Sequence, residues 1–312
     1  MGRSSRRNPR ARLVTPKTAA CAVLMFALLG IVGCMDCTVN LIVCPIVVEW
    51  PDVDVGPVFV VAETHQNHRV SRIGPHGEWT LVCEFAAGST PWGLGIDSQG
   101  NYIVSDASNG TISRISPSGE HTIVYTYPSG SGPFPSGLAI APDGSYIVCE
   151  RGPSMLSRIT PEGSRTVIHI FLDTDAYPMD VAVDVDGSFI VSELNADVLS
   201  RISAAGDRTV IHSFTSSPRA EPWGVAIDAN GDYIVSEFVS GKLSRITSGG
   251  MREVIFSFEE FAGPREIAIA SDGSFFVTQN NEKLTKITPA GQQTTIYTFP
   301  NDTGPTGIAV LP

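Results

Sequence analysis

Five carboxylates recur along the chain at nearly constant spacing: Glu63, Asp106, Glu150, Glu193 and Glu237, with the amide Gln279 in the sixth place. Each closes a short apolar run such as YIVSE (Tyr233–Glu237). Carboxylates gathered into one ring are the oxygen ligands that calcium or magnesium takes. A parallel series of bases, Arg72, Arg114, Arg158, Arg201, Arg245 and Lys286, offers them a different use. Each base then pairs with an acid of its own or an adjoining repeat, and the acids cap the loops that follow them. A residue present in every repeat ordinarily serves construction of the repeat, so the pattern favours this second use over a cation site.

Departures from the pattern are more telling. Each repeat opens on a Pro, and the residues after it are Trp92, Ser136, Met179, Trp223, Arg265 and Thr306. One position further, a recurrent Gly gives way to Asp180 and Glu266. The loop after Glu63 holds His65, Asn67 and His68, and the loop after Glu150 begins with Arg151. Brought to one face, these aromatic rings, cations and carboxylates make a ligand-binding patch; scattered, they are varied solvent-exposed loop residues. His169 and His212 stand in a column otherwise held by aromatics and read as packing residues. No Ser lies in a G-x-S-x-G elbow and no C-x-x-C pair is present, so neither a hydrolase triad nor a zinc site is indicated.

The elements that position these residues follow from a repeat of about 43 residues, with copies starting at Pro91, Pro135, Pro178, Pro222 and Pro264 and a truncated one at Pro305. Each copy holds four short runs rich in Val and Ile, bounded by Gly, Pro, Asn and Ser, and none is long enough for an ordinary helix. D-x-x-G and P-x-G separators are hairpin chemistry. Four antiparallel strands per repeat of this length predict a propeller blade. The first run carries a small residue between bulky ones (Ala139, Ala182, Ala226, Ala268, Ala309; Gly95 in the first copy), as crowding at the axis demands. Residues Val58–Phe85 supply a second, third and fourth strand, while the C-terminus supplies only a first. The expectation is therefore an all-β, six-bladed propeller over 57–312, its ring closed by the C-terminal strand joining the N-terminal blade. The competing reading takes Pro45–Gly56 as a degenerate first strand.

Residues 1–33 are of another kind. Arg3, Arg6, Arg7, Arg10, Arg12 and Lys17 precede an apolar run, Thr18–Gly33, and then Cys34. This is secretory-signal composition, and Ile31-Val32-Gly33-Cys34 resembles the lipobox of bacterial lipoproteins, which makes Cys34 the expected lipidated residue and 34–56 a tether. An uncleaved membrane anchor is the alternative; both place the propeller outside the cytoplasm. The chain has 21 basic and 32 acidic residues; without the six basic residues of the leader the balance is about −17. So acidic a surface argues against nucleic acid as a partner. Cys83 and Cys149 look like packing substitutions in non-neighbouring blades, whereas Cys37 and Cys44 are candidates for a disulfide in an oxidising compartment.

The repeat resembles NHL-repeat propellers, whose G-V-A-V-D-x-x-G-x-I-Y-V-A-D core is matched by GVAIDANGDYIVSE (Gly224–Glu237), and equally the streptogramin lyase (virginiamycin B lyase) family, through IVSE and LSRIT (Leu156–Thr160, Leu243–Thr247). The lyase resemblance implies a His after a leading Pro, a Glu closing the second strand and a nearby magnesium ion. Glu193 and Glu237 match that Glu, but no copy here has His after its Pro. The gluconolactonase family shares the six-bladed form, but its E-G-P opening and metal-binding Asn pair are not recognisable. The reading therefore leans away from an enzyme. It favours a monomeric, envelope-tethered binding or sensing module for a protein, peptide or small ligand, without a cofactor. A metal-dependent lyase or lactonase, with calcium or magnesium on the channel-face carboxylates, is the rival.

Overall fold

The structure, a computed structural model, describes residues 56–172, 176–215 and 219–311, all within one compact unit, Val53–Pro312. The expected leader, nearly all of the tether with Cys34, and the Cys37–Cys44 pair lie outside the described residues. Among the described residues, twenty-four strands form six antiparallel sheets of four. The C-terminal strand, Pro305–Val310, pairs with Phe59–Glu63 and completes the sheet of Arg69–Ile73 and Trp79–Glu84. With this composite sheet as blade 1, blades 2 to 6 begin at the five expected prolines. Innermost strands touch in cyclic order, the last meeting the first, so the ring is closed and blades 2 and 5 face each other across the channel. Closure in this way leaves no blade one strand short.

Six apolar clusters lie between successive blades. Between blades 3 and 4, for example, Ile147, Cys149, Leu156 and Phe171 pack on Val181, Phe189 and Val191. Every second strand is buried along its whole length, because both of its faces meet another sheet. Polar groups stitch the blades at fixed places. Ser105 donates to the Ser136 carbonyl of the next blade at 2.5 Å, and Thr278 to the Thr306 carbonyl at 2.7 Å. Cys149 takes this serine's place in blade 3 and cannot match its geometry; there the Ser136 hydroxyl itself reaches the Pro178 carbonyl at 3.3 Å. Cys83 and Cys149 are buried free thiols. His169 and His212 each bond a glycine carbonyl of the next blade, at 2.8 and 3.0 Å, and meet Phe171 and Phe214 edge-on, which is the packing role expected.

Candidate functional site at the channel mouth

In each innermost strand from blade 2 to blade 6 the register slips just after the leading Pro. Pro91 faces Asp106, yet Leu94 faces Val104, so Trp92 and Gly93 together oppose Ser105. Such a bulge re-aims a side chain. It brings the residues after the prolines to the channel, on the face where second strands end. The loops there are tied to the lead-in loops of the same blade: Leu194 N–H donates to the Tyr177 carbonyl and Phe238 N–H to the Glu221 carbonyl, both at 3.1 Å.

A seventh apolar cluster forms on this mouth face, from Met179, Leu194 and Trp223 with Trp92, Tyr177 and Phe238. Trp92 of blade 2 and Trp223 of blade 5 stack across the channel, ring centroids 5.7 Å apart and 12° from parallel. The Arg151 guanidinium lies 4.2 Å from the Trp92 ring, and that of Arg265 lies 5.6 Å from the Trp223 ring. Phe238 leans on Trp223 at 4.7 Å. Burial lowers the pKa of Arg151 and brings that of Arg265 down to about 10, against the field of Glu282; both stay cationic at neutral pH. His65 lies against Gly304, its pKa lowered by burial and by Arg265 and partly restored by Asp302. His68, at the start of the next strand with φ 43°, has a buried Nδ1 without a partner, and none of the contacts of the tryptophan pair involves it.

Asp180 and Glu266 meet one layer further in, from blades 4 and 6. Each is buried, and their side chains hydrogen-bond to each other. The Asp180 Oδ2 also accepts from Val225 N–H of blade 5 at 2.8 Å. Burial raises the Asp180 pKa to about 6, opposed by these hydrogen bonds. Burial and the neighbouring Asp180 raise that of Glu266 well above the ordinary range. Two like charges cannot share so dry a space, so the pair holds a proton. The four other blades carry glycine here: a Cβ on Gly137 would lie 2.5 Å from the Asp180 Cα, and one on Gly224 2.5 Å from the Arg265 carbonyl oxygen.

The structure does not assemble Glu63, Asp106, Glu150, Glu193 and Glu237 into a cation site. Each carboxylate is held by groups of its own blade, and Glu150 also accepts from the Tyr127 hydroxyl of the preceding one. Arg165 grips Glu150 at 2.7 and 2.6 Å, and Arg208 grips Glu193 at 2.7 Å twice. Arg252 and Ser244 hold Glu237; Arg69, Ser71 and Trp79 hold Glu63. Asp106 accepts from the backbone of Thr90 and Asn109. Among the described residues no three His, Cys, Asp or Glu side chains converge as metal ligands would. The residues present therefore do not fit the magnesium ion that the lyase resemblance implies. The expected pairing with third-strand bases is also corrected. Arg201 lies opposite Ile190, in mid-strand, and reaches the turn aspartates Asp184 and Asp186 and the Tyr233 hydroxyl of the next blade. Glu150, Glu193 and Glu237 instead meet the arginine that opens the fourth strand, and Glu63 meets Arg69, which opens the third.

Tyr177, Leu194 and Phe238 were missed from sequence. Tyr177 had a signal, a bulky residue directly before a leading Pro; the other two sit in loops of no fixed pattern.

The Virginiamycin B lyase family profile matches residues 58–287. No curated protein matches the chain. Among solved structures, virginiamycin B lyase from Staphylococcus aureus is similar with a TM-score of 0.64 and 21% identity, over 82% of this chain and 89% of that one. A chain of the nidogen/laminin complex is similar with a TM-score of 0.69 and 16% identity, over 82% and 98%. A gluconolactonase-type protein gives 0.56 and 18%, over 70% and 85%. At such identities these likenesses speak for the fold alone, whereas the profile covers most of the chain: it belongs to the virginiamycin B lyase family.

Proposed function

We propose that this propeller is a binding module, tethered at the cell envelope through lipid on Cys34, that takes a small or peptide ligand at its channel mouth and does not cleave it. The basic and apolar leader ending in Ile31-Val32-Gly33-Cys34 supports the tether. One observation carries the choice of binding over lysis. The glutamates that match the family's catalytic position, Glu193 and Glu237, are locked by Arg208 and Arg252, and no residue after a leading Pro is a histidine. A carboxylate already neutralised by two arginine N–H groups is a poor base and a poor metal ligand. The mouth offers recognition surface instead: a stacked aromatic pair with a cation at each end. The solved relative from S. aureus was also captured, as a catalytically inactive variant, with quinupristin, so that peptide antibiotic is the natural test substrate.

Full-length protein incubated with quinupristin and magnesium should return the antibiotic intact by mass spectrometry. A linearised product that disappears when chelator is added would establish the lyase reading and sink this one. For the tether, labelling cells with a lipid precursor should mark the wild-type protein and leave Cys34→Ala unlabelled.

A further inference from the structure

We infer that the mouth selects an aromatic monocarboxylate, its flat body on the Trp92–Trp223 floor and its carboxylate drawn to Arg151 and Arg265. The inference rests on the binding-module reading and adds the chemistry of the ligand. Its first support is charge pairing. Elsewhere the propeller's arginines meet carboxylates, as Arg165 meets Glu150 and Arg201 meets Asp184, except Arg72, which donates to the Tyr102 hydroxyl. The two at the mouth do not. Arg151 donates to the Phe134 carbonyl and the Tyr177 hydroxyl, each at 3.4 Å. Arg265 donates to the Pro305 carbonyl at 3.0 Å and the Asn280 Oδ1 at 2.6 Å. All four acceptors are neutral, and no carboxylate among the described residues lies within ion-pair distance of either arginine.

Arg265 is only 5% exposed, and its Nε has no partner. Burying a cation against neutral dipoles alone is costly, and an anion arriving from solvent offsets that cost. The tryptophans supply independent support. Both indole N–H groups are buried without an acceptor, so a ligand oxygen admitted by a shift of the cluster would meet two unpaired donors. Nearby acids set the limit on ligand charge. Glu282 lies within electrostatic reach of Arg265 but spends an oxygen on Gly304 N–H at 2.9 Å, and Asp302 acts on His65. That negative rim disfavours phosphates and polyanions and leaves a single carboxylate as the best match.

The test uses the full-length protein with 2-naphthoate and its neutral analogue 2-naphthamide, followed by tryptophan fluorescence and calorimetry. The acid should bind saturably, and the amide about tenfold more weakly. Arg265→Gln should erase that preference while leaving amide affinity unchanged. Because Arg265 is buried, its thermal melt is checked, and Arg151→Gln, at a half-buried position, should reduce the preference independently. Three results overturn the inference: no saturable naphthoate binding at millimolar concentration, equal affinity for acid and amide, or a preference that survives both substitutions. Quinupristin turnover, by contrast, overturns the binding-module reading whatever the probes do. Equal binding of acid and amide sinks the charge rule alone.

Discussion

On the face away from the channel mouth, the backbone turns left-handed at eleven hairpin positions, from Gly77 and Gly100 to Gly273 and Gly291, and every one is glycine. On the mouth face nine left-handed positions are held by side-chain-bearing residues: His68, Phe134, Ser154, Tyr177, Asp197, Glu221, Phe261, Glu282 and Asp302. The first face follows turn chemistry repeat after repeat. The second accepts a cost of about 1–2 kcal/mol per such residue, and the same loops carry Arg151, Tyr177 and the residues around Arg265. Backbone strain gathers where side chains must be presented in fixed positions. One face builds the disc and the other uses it.

The sharpest way to break this comparison is a pair of alanines. Gly137 sits in the channel, where a Cβ would collide with the Asp180 carboxylate and crowd backbone. Gly187 turns a hairpin on the far face, with nothing within 4 Å of a Cβ. Gly137→Ala should lose about 4 kcal/mol or more in urea unfolding, and Gly187→Ala about 1 kcal/mol, the left-handed penalty less what the stiffer unfolded chain recovers. Equal losses would mean that the lumen is less crowded than its geometry shows.

A second pair compares the two kinds of arginine. Arg165 neutralises Glu150, whose side chain is 1% exposed, and its removal leaves that charge with only the Tyr127 hydroxyl, at 2.9 Å. Arg165→Met should cost about 3–5 kcal/mol. Arg158 pairs with Asp143 at the far face, with side chains 33% and 59% exposed. Arg158→Met should cost about 0–1 kcal/mol. A large effect at Arg158 would show that its stacking on Phe189, 5.9 Å away, matters more than its ion pair.

The far face was almost wholly legible in the sequence, and the mouth only in part. Each leading Pro begins an innermost strand, and Asp184–Gly187 and its relatives make the hairpins, because turn chemistry is local. Ring closure by Pro305–Val310 followed from counting strands. Partner choice was not legible, since Arg201 and Arg208 are equally plausible mates for Glu193 until register is known. A trace was present: Glu150, Glu193 and Glu237 each precede an arginine by fifteen residues, and Arg165, Arg208 and Arg252 are the ones that bind them. The bulge after each Pro was also hidden. It depends on hydrogen bonds such as Gly224 N–H to Ser236 Oγ at 2.8 Å, which no spacing announces. Without it, the stack of Trp92 on Trp223 has no sequence signature.

The buried acid pair sharpens the comparison with a pH dependence opposite in sign to that of the far face. Asp180 holds its proton more tightly folded than unfolded, with a pKa of about 6. Its contribution is complete below the ordinary aspartate range, near pH 4, and is lost as pH rises through about 6. About two pH units correspond to about 3 kcal/mol. Asp180→Asn should therefore unfold at higher urea than wild type at pH 8, with the advantage shrinking toward pH 4. Asp143, an exposed far-face acid whose pKa is lowered chiefly by its bond to Ser145 N–H, has the opposite sign: its small contribution is lost as pH falls. Parallel pH curves for wild type and Asp180→Asn would show that the pair carries no strained proton.

The smallest effect tests strain itself. Glu221 precedes Pro222 with φ 49°, and its backbone N–H donates to Asp197 while its carbonyl accepts from Phe238. Glycine keeps both bonds and removes the left-handed penalty, but frees the unfolded chain by about 0.4–1 kcal/mol. The first term is the larger, so Glu221→Gly should raise stability by about 0.5–1 kcal/mol. The reverse exchange on the far face, Gly231→Glu, has open space around its Cβ but φ 81°, and both terms change sign. It installs the left-handed penalty of about 1–2 kcal/mol and recovers about 0.4–1 kcal/mol by stiffening the unfolded chain. Gly231→Glu should therefore lose about 0.5–1 kcal/mol by urea unfolding. A loss at Glu221→Gly as large as at Gly231→Glu would place the stabilising contribution in the glutamate side chain, and the left-handed residues of the mouth would then be unstrained.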